Sequence, residues 1–148
     1  MSKNYLDVTK RAKYYQIGKA SSSIKKVWMV FHGYAMLSEF FIKKFNVLDD
    51  GETLIIAPEA LNRFYITENF SRVGASWMTK EDRENDIIEN NRYIETLYLN
   101  IVNQIGHSNF QLNVFNIIYC YHFIKLKYES NLIICLLINI IVLQFKFN

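Results

Sequence analysis

Only a few side chains in this sequence have the types and spacing from which catalytic or metal chemistry could be built. The two cysteines, Cys120 and Cys135, follow neither a metal-ligand nor a redox spacing, which favours buried thiols in a reducing compartment. His107 and His122 have no carboxylate at a telling spacing, so we expect ordinary surface or core histidines. The acids between residues 81 and 89 share a helical pattern with an arginine, which indicates a solvated helix face. We therefore expect neither a metal ion nor a cofactor.

His32 is the histidine with the most informative surroundings, because it ends an apolar run and precedes a glycine. The run over residues 26–31 reads Lys-Val-Trp-Met-Val-Phe and is typical of a strand buried on both faces. His32-Gly33-Tyr34-Ala35 then forms a loop at the end of that strand. These residues need neighbouring strands and helices to position them.

The apolar pattern predicts four strands. They are expected at residues 12–17, 26–31, 53–57 and 110–115. Pro58 stops the third strand, and residues 59–78 predict irregular structure. Because strands and helices alternate along the chain, we expect an α/β fold with a mostly parallel sheet and flanking helices.

Two helices are expected between these strands. The longer one begins at a capping-box pattern over residues 79–82, carries apolar residues three and four apart, and ends at Gly106. The shorter one begins at Ser38, which we expect to cap it, with Phe41 and Phe45 on one face.

Length and charge narrow the class of protein. A chain of 148 residues with 51% hydrophobic residues corresponds to one domain with a real core. The formal net charge of +3 is too small to indicate a nucleic-acid partner. The first 13 residues are polar and basic and lack the apolar stretch of a secretory signal, so we expect a cytoplasmic protein.

The composition changes at Asn116. Residues 116–148 contain no Gly, Ala, Pro, Asp, Arg or Thr, and they show neither cap signals nor an amphipathic period. Their longest apolar run, residues 132–143, is shorter than the roughly 20 residues that a membrane-spanning helix needs. We therefore divide the chain into a domain part, residues 1–115, and an atypical apolar tail, residues 116–148. We interpret the tail as a truncated or frameshifted C-terminal portion.

Three motifs, in order along the chain, resemble those of α/β-hydrolases. Val30-Phe31-His32-Gly33-Tyr34-Ala35 looks like the His-Gly loop that follows the third strand of that fold. Ile56-Ala57-Pro58-Glu59-Ala60 resembles the strand and Ala-Pro turn that come next, and residues 74–83 resemble a Trp-containing loop that leads into a helix. Their order resembles the phospholipase/carboxylesterase branch of small bacterial serine esterases, over about residues 10 to 115. The resemblance implies a partial α/β-hydrolase fold.

The resemblance also implies where a small acyl ester would bind. The backbone N–H of Tyr34 would donate to the oxyanion that forms on the ester carbonyl, beside the structural residue His32. Gly33 would let the main chain approach the substrate closely. Phe64, Tyr65 and Trp77 would help to wall the acyl pocket. The family usually has glycine at the position that Ala35 occupies.

The catalytic serine of the family is missing at its expected place. A Gly-x-Ser-x-Gly elbow should follow the last predicted strand, but residues 116–120 read Asn-Ile-Ile-Tyr-Cys. Ser108 precedes that strand instead of following it, and Cys120 is flanked by bulky Ile118 and His122 where small residues are required. The later Asp and His of the family have no positions before Asn148. We therefore expect no catalytic triad.

These observations favour a relative of serine carboxylesterases that hydrolyse small acyl esters through an acyl-enzyme, and they predict that this chain is inactive. A non-catalytic binding or membrane-associated protein is the alternative, with the apolar tail in contact with a membrane. A third alternative is a half-domain whose exposed sheet edge is covered by a partner or a second copy, or leads to aggregation.

Overall fold

A computed structural model describes residues 1–116 of the chain. Within this range the strands are β1 (Tyr14–Ile17), β2 (Lys26–Phe31), β3 (Thr53–Pro58), β4 (Asn62–Tyr65), β5 (Val73–Ser76) and β6 (Gln111–Asn116). The α-helices are α1 (Ser38–Phe41), which continues directly into a 3₁₀ helix (Ile42–Leu48), and α2 (Arg83–Ile105).

Four of these strands form one sheet, in the order β1-β3-β2-β6. β2 pairs in parallel with both β3 and β6, whereas β1 pairs antiparallel with β3. The chain crosses from β2 to β3 through α1 and the 3₁₀ helix, and α2 lies on the crossover that leads to β6. The expected α/β class and mostly parallel sheet are confirmed for the described part of the chain.

Side chains along β2 and β3 alternate between the two faces of the sheet, so each face carries apolar residues. Helices cover both faces and form an apolar core on each. On one face, α2 contributes Leu97, Ile101 and Ile105 to a core that contains Val27, Met29, Phe31, Leu54 and Ile56. On the other face, Phe41 and Ile42 pack against Val30, Ile55 and Ala57. Every residue of β3 is buried. The continuous apolar runs of β2 and β3 thus correspond to strands buried on both faces, as expected.

The long helix ends as its sequence predicts and begins differently. Gly106 follows α2 with a left-handed φ of 86°, and its N–H donates to the Val102 carbonyl. At the other end, Asp82 occupies the N-cap position without a side-chain cap bond. The N–H and hydroxyl of Thr79 donate instead to Asp86 Oδ2, at 2.7 and 3.2 Å. The expected capping box is wrong, because a carboxylate inside the first turn takes these donors.

Ser38 has a different role from the helix cap that we expected. Leu37 occupies the N-cap position of α1, and no side-chain cap bond is formed there. The buried hydroxyl of Ser38 donates to the Pro58 carbonyl at 2.6 Å, which ties α1 to the end of β3. The expected contact between Phe41 and Phe45 is present, with ring centroids 5.3 Å apart.

Residues 62–76 form a β-hairpin where we expected irregular structure. β4 and β5 pair antiparallel, from Asn62 opposite Ser76 to Tyr65 opposite Val73. The hairpin also reaches the loop after β2, because Met36 and Ala75 form an isolated antiparallel bridge. The expectation of irregular structure is therefore wrong, and the hairpin supports the loop that contains His32.

Membrane contact was expected only from the tail. In the part of the chain that the structure describes, no helix is both long and apolar enough to cross a bilayer. The structure describes only Asn116 of the predicted tail, residues 116–148. Our predictions for the apolar run 132–143, for Cys120 and for His122 therefore lie outside the described residues.

Replacing Gly74 by alanine should destabilise the protein more than replacing Gly51. A Cβ atom at Gly74 would lie 2.6 Å from the Ala35 carbonyl oxygen, whereas a Cβ at Gly51 meets nothing within 4 Å. Gly51 has a φ of +81°, so Gly51→Ala should cost about 1 kcal/mol through backbone strain alone. We expect Gly74→Ala to cost about 3 kcal/mol through overpacking against backbone. Urea unfolding of both variants measures the difference, and equal losses would contradict the described packing of β5 on the loop.

Candidate active site

The carboxyl ends of the parallel strands β3, β2 and β6 meet at one edge of the sheet. Open α/β sheets bind their ligands at such an edge. Phe31 lies opposite Asn116 in the parallel register, so the loop after β2 starts level with the end of β6. His32 and Gly33 follow β2, and Glu59 follows β3. These residues define the candidate active site.

His32 lies completely buried between β2 and the end of β3. The Ala60 N–H donates to His32 Nε2 at 3.1 Å, so Nε2 carries the lone pair and the proton resides on Nδ1. Nδ1 then donates to the Gly33 carbonyl at 2.8 Å. Burial lowers the pKa of His32, outweighing the opposing effects of the Gly33 bond and of Glu59. Because both ring nitrogens are occupied, His32 holds the loop in place and has no free nitrogen to act as a base.

Trp77 supports the same loop from the core. Its indole N–H donates to the His32 carbonyl at 3.0 Å, and its ring packs edge-on against Phe31 with centroids 5.3 Å apart. The Asn90 side chain in turn donates to the Trp77 carbonyl. Trp77 was expected to wall an acyl pocket. The structure places it beneath the loop, only 3% exposed.

Ala35 adopts an unusual backbone conformation in this loop. Its φ is 62°, which lies in the left-handed region that favours glycine. Glycine is the residue that the resemblance described above leads us to expect at this position. The Ala35 N–H donates to the Ala75 carbonyl at 3.0 Å, and the Ala75 N–H donates to the Met36 carbonyl at 3.2 Å. These two bonds to β5 offset strain of about 1 kcal/mol at the alanine.

Tyr34 lies at the open side of the loop. Its side chain is 74% exposed and stacks on Phe64, with ring centroids 5.2 Å apart and planes 29° from parallel. No hydrogen bond from the Tyr34 N–H is formed within residues 1–116. The loop therefore offers one backbone donor at the same edge of the sheet as the end of β6.

The structure brings together only some of the expected pocket residues. Phe64 stacks on Tyr34, but Tyr65 is 59% exposed and packs on Phe70, with ring centroids 5.1 Å apart. Phe64 and Tyr65 are neighbours on β4, and successive strand residues point to opposite faces. Tyr65 therefore lies on the other face of the hairpin from the loop.

The remaining polar candidates lie away from this edge. Ser108 is exposed and precedes β6, so it lies towards the amino end of that strand. His107 Nε2 lies 3.0 Å from the Ser22 carbonyl oxygen, and the Asn109 N–H donates to Nδ1. Among the described residues, no three His, Cys, Asp or Glu side chains are grouped so that they could hold a metal ion.

Glu59 is a buried carboxylate that the sequence analysis did not single out. Its side chain is 1% exposed, and Lys13 Nζ lies 2.9 Å from Oε1. A hydrogen bond to Glu59 raises the pKa of Lys13. Two further bonds hold the Lys13 carbonyl, from the Glu59 N–H at 3.0 Å and the Tyr93 hydroxyl at 2.9 Å. Burial raises the pKa of that tyrosine. The sequence signal that could have identified Glu59 is an acid directly after a buried strand whose residues are apolar except for Thr53.

The buried imidazole of His32 should make stability depend on pH. Because its folded-state pKa is lowered, the unfolded chain binds more protons as pH falls through the ordinary histidine value. The free energy of unfolding should then fall by up to about 1.4 kcal/mol per pH unit below about pH 6.5. In His32→Gln this slope should disappear, although the variant is less stable at neutral pH. Urea unfolding between about pH 7.5 and 5 measures both slopes, and an unchanged slope in the variant would contradict this role.

Removing Lys13, the cation beside Glu59, should lower the free energy of unfolding more than removing a lysine whose partner is exposed. Lys13→Met leaves a buried carboxylate without its ion pair, and we expect a loss of about 2 kcal/mol. Lys25→Met is the matched control, because its partner Glu52 is 51% exposed, and the expected loss is below about 0.5 kcal/mol. The double variant Lys13→Met/Glu59→Gln should recover part of the first loss in a urea titration. Equal effects of the two lysine variants would refute the structural role of the Glu59 pair.

The candidate site has the arrangement of a backbone donor loop at the carboxyl edge of a parallel sheet. Both ring nitrogens of His32 are bonded within the protein, and the buried Glu59 carboxylate pairs with Lys13 through Oε1 while its Oε2 has no hydrogen-bond partner among residues 1–116. The Tyr34 N–H also has no hydrogen bond within that range. No family model matches the chain, and no curated protein is significantly similar to it.

Proposed function

We propose that residues 1–116 are the N-terminal part of an α/β-hydrolase of the carboxylesterase type, which acts on small acyl esters. One observation carries this proposal. The Tyr34 N–H, directly after His32-Gly33, lies in the loop that follows β2, and this loop starts level with the end of β6, because Phe31 lies opposite Asn116. In that fold the strand-to-helix turn holds the nucleophile, and the loop after the third strand supplies one oxyanion donor.

The loop has the rigidity that such a donor requires. Ester hydrolysis places negative charge on the former carbonyl oxygen, and a donor stabilises this charge best when it is already fixed in position. Three contacts fix the loop: Ala60 N–H to the His32 ring, the Trp77 indole to the His32 carbonyl, and Ala35 to Ala75. Gly33 presents no side chain between the main chain and a substrate carbonyl. The stacked rings of Tyr34 and Phe64 would shield that carbonyl from water on one side.

The chemical half of the site is not encoded where the fold requires it. Residues 116–120 contain no serine: Ile118 stands at the position of the serine, and Asn116 and Cys120 take the two positions that a nucleophile elbow reserves for small residues. The residue after the nucleophile would also supply the second oxyanion donor. We therefore propose that this chain retains the donor loop of an esterase without the nucleophile, because a shift of reading frame near Asn116 replaced the elbow.

The reading frames downstream of the codon for Phe115 test this proposal. One of the other two frames should encode Gly-x-Ser-x-Gly directly after Phe115, followed later by an Asp and a His. The protein with that frame restored should hydrolyse p-nitrophenyl acetate, and replacing the serine of its motif by alanine should reduce kcat at least about 1000-fold. The 148-residue chain should show only the background rate of buffer.

Two results would refute the proposal. If neither of the other two reading frames encodes the Gly-x-Ser-x-Gly motif, the proposed esterase origin is refuted. Saturable turnover of the ester by the 148-residue chain itself would show that another group acts as the nucleophile.

A further inference from the structure

A groove lies beside the donor loop, between α1 and the turn of the hairpin. Its volume is about 710 Å³, which falls within the range of about 300–1,000 Å³ found for small-molecule sites. The loop after β2 and α1 contribute Met36, Leu37 and Phe40, and β5 contributes Val73. The groove therefore has apolar walls drawn from three separate segments of the chain.

These apolar walls are open to solvent. Phe40 is 61% exposed, and Met36 and Val73 are each 39% exposed. Phe70, in the turn between β4 and β5, is 69% exposed and adds to the apolar surface of the hairpin. Exposed apolar surface of this kind marks ligand-binding grooves, because a ligand that covers it removes apolar area from water.

The charged residues of the groove are all cations. Lys44 and Arg72 line it, and no acidic residue of the described chain does. Arg72 takes part in none of the ion pairs formed within residues 1–116. Two backbone bonds fix its position, from the Ile66 N–H to the Arg72 carbonyl at 2.8 Å and from the Arg72 N–H to Thr67 Oγ1 at 3.3 Å. The guanidinium thus extends from a fixed turn, and it can bind a carboxylate through two parallel hydrogen bonds.

We propose that this groove binds a single-chain anionic amphiphile of the fatty-acid class. Its hydrocarbon chain lies along Met36, Phe40 and Val73, and its carboxylate binds the guanidinium of Arg72. The volume suits a ligand of that size, and the combination of apolar walls with Arg72, and with no acid among the lining residues that the structure describes, complements its charge. Binding requires neither a nucleophile nor an oxyanion donor, so this proposal stands or falls separately from the esterase proposal.

Calorimetric titration of the full chain with laurate, below its micellar concentration, tests this site. We expect saturable binding of laurate, and at least tenfold weaker binding of dodecanol and of dodecyltrimethylammonium, which have the same chain length without the anion. Arg72→Glu should weaken laurate binding at least tenfold. Phe40→Ser should do the same without lowering the melting temperature, because Phe40 is mostly exposed.

Arg92→Glu is the matched control for the charge reversal. Arg92 is exposed on α2, which packs on the opposite face of the sheet from α1, so laurate binding should be unchanged. Equal weakening by Arg72→Glu and Arg92→Glu would overturn the proposal, because general electrostatics would then explain the affinity. The proposal would also be overturned if the protein does not bind laurate but sediments with phosphatidylserine vesicles, since the groove surface would then contact a membrane.

Discussion

The burial of β3 on both faces is the constraint on which the rest of the described structure depends. A central strand satisfies its backbone only through partners on both sides, which β1 and β2 provide. Its two apolar faces need separate covers, so α2 packs on one and α1 with the 3₁₀ helix packs on the other. The carboxyl end of β3 is buried, so the polar groups there need partners within the protein. Ser38 supplies one for the Pro58 carbonyl, and Lys13 supplies one for Glu59.

The elements that could be predicted from the sequence are those whose signals are local. β2 and β3 are continuous apolar runs, and the end of α2 needs a residue that tolerates the left-handed conformation of Gly106. The hairpin was missed because no tight-turn dipeptide joins β4 to β5, and its pairing depends on contact with the loop after β2. The caps were wrong for a related reason. Ser38 and Thr79 are typical N-cap residues, but their partners, the Pro58 carbonyl and Asp86, are not in the positions that a helix cap uses.

The candidate site was predictable in position but not in its bonding. The end of a buried strand followed by His-Gly located the loop. The roles of its residues came from contacts distant in sequence: Ala60 fixes the tautomer of His32, and Trp77 holds its carbonyl. The groove was invisible in the sequence, because loop, helix and hairpin each supply only a few of its residues.

The parallel pairing of β2 with β6 also sets the order in which the chain can fold during synthesis. Lys26 lies opposite Gln111, so β2 leaves the ribosome long before its second neighbour exists. At about 5–20 residues per second, this side of β2 waits for a time on the order of ten seconds. Its unpaired N–H and C=O groups are then open to other nascent chains, as an unprotected strand edge is in general. Chaperone capture during this interval would favour productive folding, and the sheet closes only when Asn116 has emerged.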